Sequence, residues 1–253
     1  MNTPCEQRSD TPPNPDRVLA VVIGRAGSKG LPGKNAMMLC GRPMIAHAID
    51  HALASAGVDR IVVSTDGDAI ADAARVMGVD VVRRPADLAS DTATVDSAVR
   101  HAVEASGSSA SIIVILYANI PIRPDGLIDR AIATLQATGA DSVQSYERPG
   151  KYHPYWMVRL GELGEVRQWE ANTVYRRQDL PPAFMPDGGV IAVRRESLFA
   201  VVAGQPHAFL GVDRRGIENP PGSVVDVDGP VDFRVAEAML LERMSTTRAE
   251  VTR

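Results

Sequence analysis

Between Gly24 and Asn35 the chain reads GRAGSKGLPGKN, four glycines set among Arg25, Lys29 and Lys34 directly after the apolar run VLAVVI. Glycines leave backbone N–H groups exposed as a nest for an anion, and the cations add charge, so the segment suits phosphate. It is neither of the common phosphate loops. A Walker loop needs GxxxxGK followed by Ser or Thr for its magnesium, whereas Gly27 to Gly33 is one residue too long and Asn35 follows Lys34. The dinucleotide fingerprint GxGxxG fails as well, because Ala26 stands where the second glycine lets the backbone approach a pyrophosphate.

A second chemical signal lies far along the chain, in VDVDG at 225–229. In extended backbone, residues i and i+2 share a face, which sets the carboxylates of Asp226 and Asp228 side by side with Val227 behind them. Paired carboxylates suit a hard cation such as magnesium, which binds through one or two acids and keeps its other positions for water and phosphate. Another D-x-D, Asp66 and Asp68 in STDGDAI, follows an apolar run and opens a helical pattern. There acids favour the helix dipole and cap free N–H groups, and helix capping is the expected role; a metal role would suit a nucleotide-sugar glycosyltransferase instead. Ser90 and Asp91 are read equally as helix caps or as ligand contacts.

Weaker signals lead nowhere. His47 and His51 are spaced i, i+4, but no glutamate follows His47 and the apolar stripe runs through Ile45, Ala48, Ile49 and Ala52, so a solvated face is expected. His101 and His207 have no local partner. No GxSxG elbow supports a serine hydrolase, and Cys40 has no catalytic motif beside it.

These residues need a frame to bring them together. The 253 residues, 45% of them hydrophobic, suffice for one large α/β domain. A net charge of -4 argues against a sequence-independent nucleic-acid binder, so the anion site is local. Two cysteines, Cys5 and Cys40, give no disulfide framework and fit a reducing, cytoplasmic setting. Residues 1–16, MNTPCEQRSDTPPNPD, are polar and Pro-rich and read as a disordered tail without the apolar centre of a signal peptide. No stretch approaches the roughly 18 apolar residues of a membrane span.

From residue 17 to 243, short β-branched runs (RVLAVVI, DRIVVST, VDVVRR, SIIVILYA, DSVQSY, GGVIAV, SVVDV) alternate with helical patterns beginning near Pro43, Asp66, Asp91, Pro124, Glu196 and Pro230. The pattern predicts a doubly wound, mostly parallel sheet, its first strands buried on both faces. Motifs placed just after strands, at Gly24, Asp66, Arg84, Tyr117 and Asp226, would then converge on one crevice at the carboxyl ends. Between about residues 146 and 187 the pattern loosens into an inserted arm with both tryptophans and four of the five tyrosines, a composition typical of interface anchors. Residues 244–253 read as a polar tail.

Five segments in one order resemble the acylneuraminate cytidylyltransferases, or CMP-sialic acid synthetases. They are the opening loop, Val63–Thr94 (VSTDGDAIADAARVMGVDVVRRPADLASDTAT), Ile120–Pro124 (IPIRP), Arg176–Gly189 (RRQDLPPAFMPDGG) and Val225–Met239 (VDVDGPVDFRVAEAM). The resemblance implies a Rossmann-like nucleotidyltransferase fold of the GT-A type with a small dimerisation arm. It also implies transfer of CMP from CTP to a 2-keto sugar acid, with magnesium on Asp226 and Asp228. Family roles carried over put Arg25, Gly27, Ser28, Lys29, Lys34 and Asn35 around the nucleotide, with Arg25 and Lys34 catalytic, and Arg84 and Ala93 near the cytidine. On the sugar side Tyr117, Asn119, Arg177 and Asp187 are implied, while Lys151 and His153 either reach a partner's site or make dimer contacts. Where family members usually read QPTSPLR this chain reads YANIPIR, so Tyr117 and Asn119 replace a glutamine and a threonine and imply an altered acid. A KDO-like sugar, a phosphonate, or a catalytically silent nucleotide-binding homologue are the alternatives.

Overall fold

The structure, a computed structural model, describes residues 18–28 and 30–251. The tail read at residues 1–16 and the phosphate role read for Lys29 fall outside the described residues. In chain order, β1 (Val18–Ile23) leads through the glycine-rich loop to a hairpin of β2 (Met38–Leu39) and β3 (Arg42–Pro43), then α1 (Met44–Leu53). Next come β4 (Arg60–Thr65), α2 (Asp68–Val76), β5 (Asp80–Arg83), α3 (Val95–Ala105), β6 (Ile112–Tyr117), α4 (Leu127–Thr138) and β7 (Ser142–Glu147). The arm carries β8 (Val158–Leu160) and β9 (Val166–Gln168), and the chain returns through β10 (Met185–Arg194), α5 (Arg195–Phe199), β11 (Arg214–Glu218) and α6 (Pro230–Val251).

The main sheet has the order β11-β7-β10-β6-β1-β4-β5 and is parallel except for β10, which runs against both neighbours. The doubly wound, mostly parallel expectation holds, and β1 shows why. All six of its residues are buried, Val18, Ala20 and Val22 in a core shared with α1, α2 and α4, and Leu19, Val21 and Ile23 in one shared with α3 and α5. With side chains alternating across a strand and helices on both faces, no polar alternation is tolerated.

Three elements depart from the pattern read off the sequence. SVVDV is not a ladder strand; it makes one antiparallel bridge, Val225 to Ile122, and one further bond from Val227 N–H to the Asn119 carbonyl at 2.9 Å. The alternation nonetheless survives, with Val225 and Val227 buried and Asp226 and Asp228 exposed. β11 was not anticipated, because RRGIE is an exposed, charged edge strand whose side chains protect the edge and hide the period. α6 runs on to Val251, through the segment read as a polar tail. Its Phe233, Ala236, Met239 and Leu240 pack against Leu39, Met44, Ile122, Val225 and Val227, backing the acidic turn with a small core of its own.

Candidate active site

The carboxyl ends of β6, β1, β4 and β5 open onto a cleft of about 540 Å³. β1 is where the chain reverses its travel across the sheet, since β4 and β5 lie to one side and β6 to the other, and such a switch point leaves a crevice. Gly24 marks the exit. Its N–H donates to the Ser64 carbonyl at 3.1 Å, and a methyl there would lie 2.8 Å from the Ala118 Cβ, so only glycine passes between the two strand ends.

The loop that follows is clasped from within and from the turn between β4 and α2. Asn35, 4% exposed, donates from Nδ2 to the Arg25 carbonyl at 2.9 Å, and a 3₁₀ turn over Lys34–Ala36 closes the loop. Ala26 N–H donates to Asp66 Oδ1 at 2.8 Å. Arg25 reaches Asp91 Oδ1 at 2.7 Å, joining the loop to the segment before α3. Arg84 donates to the Ser64 carbonyl at 2.8 Å and its Oγ at 3.2 Å; burial lowers its pKa and Asp66 opposes the shift. Ser28, Ser90 and Ala93 line the same cleft, and Gly27 lies exposed on the loop.

Asp228 lines this cleft from the turn before α6, with Asp226 two residues before it. Lys34 Nζ donates to Asp228 Oδ1 at 2.5 Å and to the Val227 carbonyl at 2.8 Å. From the turn after β6, Asn119 Nδ2 donates to Asp226 Oδ1 at 2.5 Å and approaches Asp228 Oδ1 at 3.4 Å. Pro230 opens α6, and Asp232 in its first turn accepts from the N–H groups of Asp228 at 3.1 Å and Gly229 at 2.8 Å. Desolvation, then the charge of Asp228, push Asp226 up to about 6, against the opposing charge of Lys34. Lys34 is withdrawn, with 13% of its side chain exposed, while Asp228 is 75% exposed, so the second carboxylate stays open to a ligand.

This pair passes a test of fit for magnesium. Two hard oxygen donors on one face, mutually repelling and partly desolvated, favour a cation between them. Among the described residues no three His, Cys, Asp or Glu side chains converge as a closed metal cage. A carboxylate pair beside an open cleft lined by cations instead matches the ion that takes one or two acids and shares the rest with water and phosphate.

A second hollow of about 410 Å³ shares Thr94, Val95 and Tyr117 with the cleft and extends over β7 and β10, where Gln144, His207 and Arg214 stand among apolar neighbours. Tyr117, with Thr94 and Val95, lies between the two spaces. Burial first, then Asp226, hold its phenol above the usual range.

Other residues sit differently from their sequence readings. Asp187 lines neither space; it accepts from Ser145 Oγ at 2.5 Å, Gly189 N–H at 2.8 Å and Asn219 Nδ2 at 2.7 Å, a carboxylate that ties β7, β10 and β11 together. Arg177 stands in the arm on a short 3₁₀ turn near Gly150 and lines neither space in a single chain. Asp66 and Asp68 make no cap: α2 begins at Gly67 without a side-chain bond, Asp66 serves the loop, and Asp68 pairs with Arg83 at 2.6 Å. The cap of α3 is Thr94, whose Oγ1 accepts from Ser97 N–H at 3.3 Å, not Ser90 or Asp91.

His47 and His51 are not on a solvated face. Their Nε2 atoms bond the carbonyls of Leu39 at 3.0 Å and Pro121 at 3.3 Å, and burial lowers both pKa values, His51 to about 4. His153 is 5% exposed, with Nε2 on the Pro181 carbonyl and Nδ1 accepting from Tyr155 N–H, so it braces the arm internally.

Arg123 escaped the sequence reading as a site residue. It is fully buried and donates to the carbonyls of Gly189 at 2.7 Å, Tyr117 at 3.0 Å and Ile120. It thus ties the loop carrying Asn119 to β10. Burial lowers its pKa to about 9, with Asp187 and Asp226 opposing, and it remains charged at neutral pH. The available signal was an arginine inside IPIRP, directly after a fully apolar strand.

A mostly parallel sheet with a cationic glycine-rich loop and a carboxylate pair at its switch point defines a Rossmann-like nucleotidyltransferase fold. A family model described as cytidylyltransferase matches residues 19–186, and the chain belongs to that family. It is similar to an N-acylneuraminate cytidylyltransferase of Streptococcus agalactiae, 32% identical over 71% of this chain and 44% of the relative. It is also similar to the CMP-N,N'-diacetyllegionaminic acid synthase of Legionella pneumophila, 29% identical over 88% of this chain and 96% of the relative. The chain spans less than half of the Streptococcus protein and nearly all of the Legionella one. A CMP:2-keto-3-deoxy-manno-octonic acid synthetase solved with CTP shares the fold, with a TM-score of 0.70 at 18% identity over 90% of this chain and 100% of that one.

Proposed function

We propose that this protein is a cytidylyltransferase that joins CTP to a nonulosonate or related 2-keto sugar acid, giving the CMP-sugar and pyrophosphate. The carrying observation is the meeting of two motifs 193 residues apart, the Gly24–Asn35 loop and the Asp226–Asp228 pair, through Lys34 Nζ. Backbone N–H groups of the loop with Arg25 and Lys34 would hold the triphosphate and steady charge on the α-phosphate as the acceptor's hydroxyl attacks and pyrophosphate leaves. Asp226 and Asp228 would hold magnesium, which supplies Lewis-acid polarisation of that phosphate when bound. Arg84, Ser90 and Ala93 stand where the cytidine would lie.

The second hollow suits the acceptor, beyond Tyr117, with Gln144, His207 and Arg214 as polar contacts for hydroxyls and a carboxylate. The names of the Streptococcus and Legionella relatives support a nonulosonate, and the substitution at Tyr117, which lines this hollow, supports one that differs from the family's usual acid. A glycosyltransferase reading on Asp66 and Asp68 loses support, since Ala26 and Arg83 already engage them. We also infer a homodimer built through the arm, whose Leu160, Leu163, Val166, Trp169 and Tyr175 are between 56% and 91% exposed, in a cytoplasmic setting.

The test is pyrophosphate release from CTP and magnesium with a panel of N-acylneuraminate, diacetyllegionaminate and 2-keto-3-deoxy-octonate, run beside sedimentation of the same preparation. Release with at least one acid and twice the chain's mass are expected. Tight CTP binding with no release across the panel overturns the enzymatic reading, and a monomer overturns the dimer.

A further inference from the structure

We propose that Asn119 is a positioning residue for the cation site, setting the spacing and orientation of Asp226 and Asp228 rather than binding the acceptor. The inference rests on the metal role given above to the two carboxylates.

The geometry is specific. Asn119 follows β6 and faces the acidic turn along its own backbone and side chain at once. Its carbonyl accepts from Val227 N–H at 2.9 Å, fixing the register of the turn against the strand end. Its carboxamide nitrogen donates to Asp226 Oδ1 at 2.5 Å and lies 3.4 Å from both Asp228 Oδ1 and the Val227 carbonyl. One amide nitrogen carries two hydrogens, so it can address two acceptors from one position. Turning the amide round would set its oxygen against a carboxylate, and the neighbouring charges therefore fix the orientation.

Lys34 completes the arrangement from the glycine-rich loop, holding Asp228 Oδ1 at 2.5 Å and the Val227 carbonyl at 2.8 Å. Each carboxylate thus has a donor from a different element, and two like charges stay adjacent. Groups that hold a metal's ligands in place in this way typically govern affinity by about 10- to 100-fold without touching the metal. Threonine, found here in the family that the sequence resembles, has a single hydroxyl hydrogen and a shorter reach. It can serve one carboxylate but not both.

The experiment measures manganese binding by electron paramagnetic resonance, with the full chain in the presence and absence of CTP. No acceptor acid is added. Asn119→Ala is expected to weaken manganese binding by about 10-fold, Asn119→Thr by less, and neither to alter CTP affinity measured without metal. Circular dichroism should show both variants folded. Asp228→Ala serves as the reference that loses manganese binding. If Asp228→Ala binds manganese like the wild type, the metal assignment fails and the inference with it. If Asp228→Ala loses binding while folded Asn119→Ala and Asn119→Thr stay within two-fold of wild type, the metal assignment stands and the positioning role is overturned.

Discussion

Gly30 is where the glycine-rich loop touches the acidic turn, and a single methyl group should separate them. A Cβ on Gly30 would sit 2.6 Å from the Asp228 carbonyl oxygen, a backbone atom that cannot swing aside. Opening that contact to the 3.4 Å of ordinary van der Waals distance moves the loop by about 0.8 Å relative to the turn. Lys34, four residues on, would be carried from its 2.5 Å contact with Asp228. Misplacement of catalytic groups by about 1 Å can cost 10²-fold, so Gly30→Ala is expected to lower kcat by roughly 10- to 100-fold. The fold should survive, because Gly30 is exposed and lies outside the left-handed backbone region. The assay is pyrophosphate release under saturating CTP and acceptor, with a thermal melt of the variant. Equal rates for a folded Gly30→Ala variant and the wild type would refute the argument from contact geometry.

Two further outcomes concern stability. Arg123→Met removes the donors from three carbonyls at a fully buried site, and each orphaned acceptor costs about 1–3 kcal/mol, so a loss of roughly 3–5 kcal/mol in urea unfolding is expected; a loss below about 1 kcal/mol would show that the network is dispensable. His51 stays neutral in the folded chain down to about pH 4, whereas an unfolded histidine takes its proton near 6.5. The unfolded state therefore binds the proton first as pH falls, and stability is lost across that window by about 3 kcal/mol. His51→Gln should remove that part of the decline between pH 7 and pH 4, and an unchanged slope would contradict it.

How much of this was legible in advance differs by element. β1, β4 and β6 could be read because strands buried on both faces cannot disguise their composition, and their ends located Gly24, Asp66 and Tyr117. β10 was legible as a strand but not in its direction, since apolar content reports burial and not sense. β11 escaped because an edge strand is free to be charged. Within the site, the cationic loop and the D-x-D at 226–228 announced themselves by residue type. The partners that hold them did not: Arg123, Asp232 and Thr94 are ordinary residues whose importance comes from which carbonyls and N–H groups they meet.

The same division runs through the whole molecule. Sequence alone determined the α/β architecture, the glycine-rich, cationic character of the opening loop and the pairing of Asp226 with Asp228, because each depends on local periodicity or local chemistry. Only the tertiary structure decided that Lys34 meets Asp228, that Asn119 donates to Asp226, and that Asp187 accepts from Ser145, Gly189 and Asn219, because those facts depend on distances between segments far apart in the chain.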